Sequence, residues 1–119
     1  MLFDSHAHIN FEAFQNDWKD VLDDCQKNDV WVTNIGSQYS TSMRAIEIAE
    51  EFEKGVYASI GVHPIHVHEP ENTFDYKKFA DLIVGAISDR PYKYVDSKKV
   101  VAIGETGLDF YHSGKYFDI

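Results

Sequence analysis

Asp4-Ser5-His6-Ala7-His8 sets two imidazoles two residues apart near the end of an apolar opening segment. If that segment is a strand, side chains alternate across it and residues 4, 6 and 8 project to one side. Two neutral imidazole nitrogens at that spacing can grip one ion, and they suit zinc and other first-row transition metals. A nearby carboxylate orients such a ring by accepting its other N–H, the part expected of Asp4. Taken alone, the pair reads more readily as polar residues at a strand end with Asp4 in solvent.

Two further segments carry the same kind of chemistry. In Gly104-Glu105-Thr106-Gly107-Leu108-Asp109-Phe110-Tyr111 an apolar run ends in an acidic residue set between glycines. A carboxylate at the C-terminal end of a strand stands where barrel enzymes keep their catalytic groups, and its two oxygens can bridge two ions. A turn with a solvated Glu is an equal reading of that segment by itself. In Gly61-Val62-His63-Pro64 the proline turns the chain out of a strand and holds His63 at its rim, beside substrate or metal or in a structural hydrogen bond. His66, His68 and His112 read as surface histidines.

The elements that must position these residues follow from periodicity. Leu2 to Ala7 reads as a strand, and Phe11, Phe14, Trp18, Val21, Leu22 and Cys25 then recur at helical spacing. Val30 to Ile35 is a second strand, closed by Gly36. Ser40 or Thr41 can cap a helix carrying Met43, Ile46, Ala49 and Phe52, with Gly55 beyond its end. Val56 to Val62 is a third strand, Phe79, Leu82, Ile83, Ala86 and Ile87 mark a third helix, and Val100 to Gly104 is a fourth strand. The order β-α-β-α-β-α-β, with apolar strands buried on both faces, is an α/β fold of parallel β/α units in one domain over residues 1–119. Four strands make about half of a (β/α)8 barrel of the TIM type, which takes about 250 residues. The His6/His8 pair, His63 and Glu105 fall at the C-terminal ends of three separate strands, as a site on one barrel face requires.

Composition narrows the field. A content of 44% hydrophobic residues suffices for a packed core, so a disordered chain is excluded. A net charge of −9 argues against broad attraction to nucleic acid, although bound divalent ions reverse the balance locally. No run approaches the roughly 18 apolar residues of a membrane span, and the start has no leader pattern, so the expectation is a cytoplasmic protein without membrane partners. The lone Cys25 rules out an intrachain disulfide and reads as a buried thiol on a helix. No Gly-rich phosphate loop, nucleophile elbow, cysteine nucleophile or zinc-type cysteine spacing occurs, which leaves metal-assisted hydrolysis.

The sequence resembles the start of the TatD family of metal-dependent hydrolases, in the amidohydrolase-like superfamily, through essentially all 119 residues. Residues 4–8 match its D-x-H-x-H, residues 61–64 its G-x-H-P, and residues 104–110 its G-E-x-G-L-D-[FY]. The resemblance implies that His6 and His8 bind one divalent ion, that Glu105 bridges two, and that His63 lies beside the substrate phosphate. Asp4 and Asp109 then stand behind the ligands. The implied cofactors are two ions of magnesium, manganese or zinc per complete site, and the implied reaction is hydrolysis of phosphodiesters, DNA foremost, by a metal-activated water. The family takes two further histidines and an essential aspartate from its second half, so no catalytic base is identified in this chain. The expectation is therefore the first half of a longer or split enzyme, which needs a complementing chain or a second copy. Two alternatives stand beside it: a non-catalytic metal- or partner-binding fragment, and a related barrel hydrolase of amides or esters.

Overall fold

The computed structural model describes residues 1–70, 75–83 and 98–111. Strands β1 (Leu2–Ala7), β2 (Val30–Ile35), β3 (Val56–Ile60) and β4 (Val100–Ile103) form one sheet in sequence order, every neighbouring pair parallel. Helices α1 (Trp18–Lys27), α2 (Tyr39–Glu50) and α3 (Tyr76–Ile83) fill the three crossovers, and single 3-10 turns follow β1 (Glu12–Phe14) and β3 (Pro64–His66). This succession is that of a partial TIM-type barrel. Ala86, Ile87 and His112 lie outside the described residues.

The apolar periodicity explains how the helices seat. Leu22 is fully buried, and Trp18, Val21 and Cys25 pack with it against Val32, Ile48 and Val56, while Asp20, Asp24 and Lys27 stay on the wet side. A second cluster joins Ala45 and Ile46 of α2 and Leu82 of α3 to Ala58 and Ile60 of β3. Helix α1 ends at Asn28, and Asp29 turns the chain with φ of 54°, a conformation that Asp tolerates better than most residues. Its carbonyl accepts from Leu2 N–H at 3.0 Å, tying β1 to the start of β2.

Three expectations need correction. Helix α2 starts at Tyr39 rather than after a Ser40 or Thr41 cap. Gln38 takes the cap position, and Thr41, inside the first turn, accepts with its Oγ1 from the amides of Ser37 and Gln38. The third and fourth strands end at Ile60 and Ile103, so the Gly61 and Gly104 motifs leave the sheet at once. Burial on both faces holds only for β2 and β3. In β1 the first five residues are exposed and in β4 the last three, with Leu2 and Ile103 each 70% accessible. These are the two outermost strands, and the helices cover only part of them.

Candidate metal centre

Side chains from the two outermost strands meet beyond the C-terminal ends of the sheet. In a flat sheet β1 and β4 would lie about 14 Å apart, three strand spacings. Here His6 Nε2 stands 3.0 Å from Glu105 Oε1. His8 completes a group in which one ligand atom from each of His6, His8 and Glu105 lies within 4.8 Å of the others. Two imidazole nitrogens and one carboxylate oxygen form a donor set that fits a divalent ion such as zinc or manganese and leaves coordination positions open.

Each ligand is placed by local structure. Asp4 is in register with Val32 but Ala7 with Asn34, so three steps along β1 match two along β2. This bulge reverses the alternation. Asp4 follows Val32 onto the helix-covered face, where its carboxylate helps raise the pKa of Cys25, and it does not share a face with His6 and His8. The expected alignment of residues 4, 6 and 8 thus fails for residue 4. Asp4 Oδ1 accepts from the backbone N–H of His6 at 3.0 Å and braces the bulge instead of a ring. The ring of His8 is held by the carbonyl of Ile35, 3.1 Å from Nδ1. A proton on Nδ1 directed at that carbonyl leaves the Nε2 lone pair for an ion.

Glu105 is set by three contacts. Its N–H reaches past the end of β3 to the carbonyl of Gly36 at 3.1 Å. The hydroxyl of Ser59, buried beneath, donates to Gly104 O at 2.9 Å. Gly61 supplies the room, because a Cβ there would stand 2.7 Å from Glu105 O and 2.8 Å from the Gly104 carbonyl carbon. Ser42 in α2 secures Gly61, accepting from its N–H at 3.1 Å and donating to its carbonyl at 3.2 Å.

His63 lines the same cleft as His6 and Glu105, a cavity of about 520 Å³ that Ile35, Ser59 and Pro64 also border. Its Nδ1 accepts from Ile65 N–H at 3.1 Å, which in the neutral ring puts the proton on Nε2 and makes that nitrogen a donor. His63 itself does not join the ligand cluster. Asp109 Oδ1 accepts from the N–H of Tyr111 at 2.9 Å, closing a local turn. His66 pairs with Glu69 at 2.8 Å, and neither it nor His68 borders the cleft.

Sequence reasoning overlooked the polar residues beneath the site. Asn34, wholly buried, accepts from Ile9 N–H at 3.1 Å and anchors the chain just after His8. Asn10 donates through Nδ2 to the carbonyls of Ile35 and Thr41, at 3.1 and 2.9 Å. A signal was present for Asn34, an amide inside the apolar run Val30 to Ile35. Its partner, 25 residues away, had none.

The chain as a whole is similar to known proteins. The family described as TatD related DNase matches residues 3–117. The uncharacterized metal-dependent hydrolase YabD of Bacillus subtilis is 33% identical over 112 residues, covering 93% of this chain and 38% of that protein. An uncharacterized metal-dependent hydrolase of Buchnera aphidicola is 35% identical over 118 residues, covering 94% and 38%. Human deoxyribonuclease TATDN3 is 31% identical over 110 residues, covering 92% and 38%. The chain thus spans roughly two fifths of the length of these relatives. With its motifs gathered at one end of a parallel sheet and its match running almost end to end, the chain belongs to the TatD related DNase family.

Proposed function

We propose that this chain forms the metal-holding part of a hydrolase that cleaves phosphodiester bonds in DNA. The convergence of His6, His8 and Glu105 at the strand ends, with His63 beside them, carries this reading. His6 and His8 hold one divalent ion, magnesium, manganese or zinc, and Glu105 has a second oxygen with which to bridge to another. Such an ion, when bound, supplies Lewis acidity that polarises a phosphoryl oxygen and activates water. His63, with Nδ1 occupied by Ile65, donates from Nε2 to a nonbridging phosphate oxygen and orients the ester. Asp4 keeps His6 in place through the backbone of the bulge, and Asp109 holds the turn after Glu105. The deoxyribonuclease names of the family and of TATDN3 favour DNA as substrate.

None of these residues is a free general base, so catalysis draws on residues of a complementing chain, a second copy or a continuation of the same polypeptide. Exposed Leu2, Phe3, Val101 and Ile103 on the outer strands favour such an association. Among the described residues no helix is long and apolar enough to cross a membrane, and a cytoplasmic setting is part of this proposal. A second reading, a metal- or partner-binding unit without catalysis, rests on the same want of a base.

Calorimetric titration with Mn²⁺ and Zn²⁺ tests the site. His6→Ala, His8→Ala and Glu105→Ala are each expected to weaken binding by more than about 100-fold, since losing even a supporting group of a ligand costs 10- to 100-fold. Unchanged affinity in all three folded variants overturns the assignment. Mg²⁺- or Mn²⁺-dependent cleavage of DNA, with and without a complementing second half, then separates the catalytic reading from the non-catalytic one.

A further inference from the structure

A second cleft opens between the segment after β1, the start of α1 and helix α2, with a volume of about 290 Å³. Phe11, Phe14 and Trp18 border it, together with Asn10 and Arg44. Small-molecule pockets begin at about 300 Å³, so it suits one planar ring system rather than an extended ligand. The guanidinium of Arg44 lies 5.2 Å from the centre of the Trp18 ring and is held by Glu47 at 3.1 Å. Asn10 is 5% exposed; its Nδ2 is committed to two carbonyls, and its buried Oδ1 has no protein partner among the described residues.

The cleft is coupled to the metal centre through Asn10, which shares the Ile35 carbonyl with His8, and through Phe11. The ring of Phe11 lies 4.4 Å from that of His8, tilted by 32°. A ligand against Phe11 is therefore one side chain away from a metal-ligand imidazole. We infer that this cleft is a nucleobase subsite, in which a base of the strand under attack stacks on Phe11 and Phe14 at the edge of the Trp18–Arg44 pair while its phosphate reaches the His6, His8 and Glu105 group. The inference rests on the proposed nuclease reading and names the part of the substrate that this chain grips. Aromatic and guanidinium planes are the groups that stack bases in single-stranded nucleic acid, and they do so without choosing among sequences. A chain of net charge −9 gains little from phosphate attraction, so stacking beside the metal gives it a hold that charge does not supply.

Trp18 reports on this cleft directly. In a Trp31→Phe background, Trp18 fluorescence is titrated with deoxyadenosine and thymidine monophosphates in the presence of chelator, with deoxyribose 5-phosphate as the base-free control. Both nucleotides are expected to quench saturably and the control is not. Phe11→Ala is expected to weaken binding by roughly 5- to 150-fold, the range of losing one stacked aromatic. Arg44→Gln, at the cleft rim, weakens it as well and guards against a folding defect in the first variant, each checked by circular dichroism. No saturable quench, an equal response to deoxyribose 5-phosphate, or indifference to both substitutions overturns the subsite. Because chelator removes metal chemistry, a chain that quenches but never cleaves DNA with Mn²⁺ and a complementing second half present loses the nuclease reading and keeps the cleft. A chain that cleaves without quenching loses the cleft alone.

Discussion

Gly61 is where packing and the metal centre meet most directly, and Gly61→Ala tests both. A Cβ at this position would approach Glu105 O to 2.7 Å and the Gly104 carbonyl carbon to 2.8 Å. Carbon and its neighbours sit best at about 3.5–4.0 Å, and the atoms in the way are backbone that cannot swing aside. The end of β4 must then retreat by about 0.7 Å or more, or β3 must yield. Overpacking of this kind costs about 1–3 kcal/mol, a fall of roughly 3 to 15 °C in melting temperature for a chain of this length. A ligand set tolerates displacements of about 0.5 Å, so Mn²⁺ affinity falls at least ~10-fold as Glu105 moves from His6. Gly104→Ala is the matched control, because its Cβ would meet only Ser59 Oγ at 3.5 Å, an ordinary contact. Thermal denaturation and calorimetric titration of both variants decide the matter. Wild-type melting and affinity in Gly61→Ala, or equal damage from Gly104→Ala, refutes the reasoning.

Asn34→Ala strips Ile9 N–H of its buried acceptor and is expected to destabilise the chain by about 1–3 kcal/mol in urea unfolding; a loss below about 0.5 kcal/mol would show that the contact does not hold β1. Saturating Mn²⁺, at about 100 times its dissociation constant, should stabilise the wild type by about 2.7 kcal/mol and leave the melting of His8→Ala unmoved. Burial raises the pKa of the Cys25 thiol, and the charges of Asp4 and Asp24 push it further in the same direction. Alkylation in the folded chain should therefore stay slow through the ordinary thiol range and accelerate only at higher pH, which a rate equal to that of a free thiol contradicts. The sign of the linked stability follows: the folded chain keeps its proton longer than the unfolded one. The contribution of Cys25 is then whole below the ordinary thiol pKa and is lost as pH climbs through the folded value, a slope that Cys25→Ser should lack.

That His6, His8 and Glu105 stand at strand ends was legible in the sequence because each follows the close of an apolar segment, and the end of an apolar segment is a local fact. His6, His8, His63 and Glu105 could be assigned to strand ends without knowing which strands touch. The apolar, β-branched runs of β2 and β3 and the helical stripes of α1 and α2 were readable for the same reason, since residue type and a spacing of 3.6 are written residue by residue. Which face Asp4 took was not. Its side is set by a bulge that exists only against β2, where Ser5 and His6 of one strand oppose Thr33 alone of the other. The Ile35 carbonyl that holds His8, the space Gly61 leaves for Glu105, and the aromatic cleft joining residues 10–18 to Arg44 all depend on segments separated by 25 or more residues. Spacing along the chain thus determined what could bind and at which strand ends. The passage of the segment after β4 over Gly61 to the carbonyl of Gly36, a property of packed strands rather than of any one of them, decided that His6 and Glu105 meet.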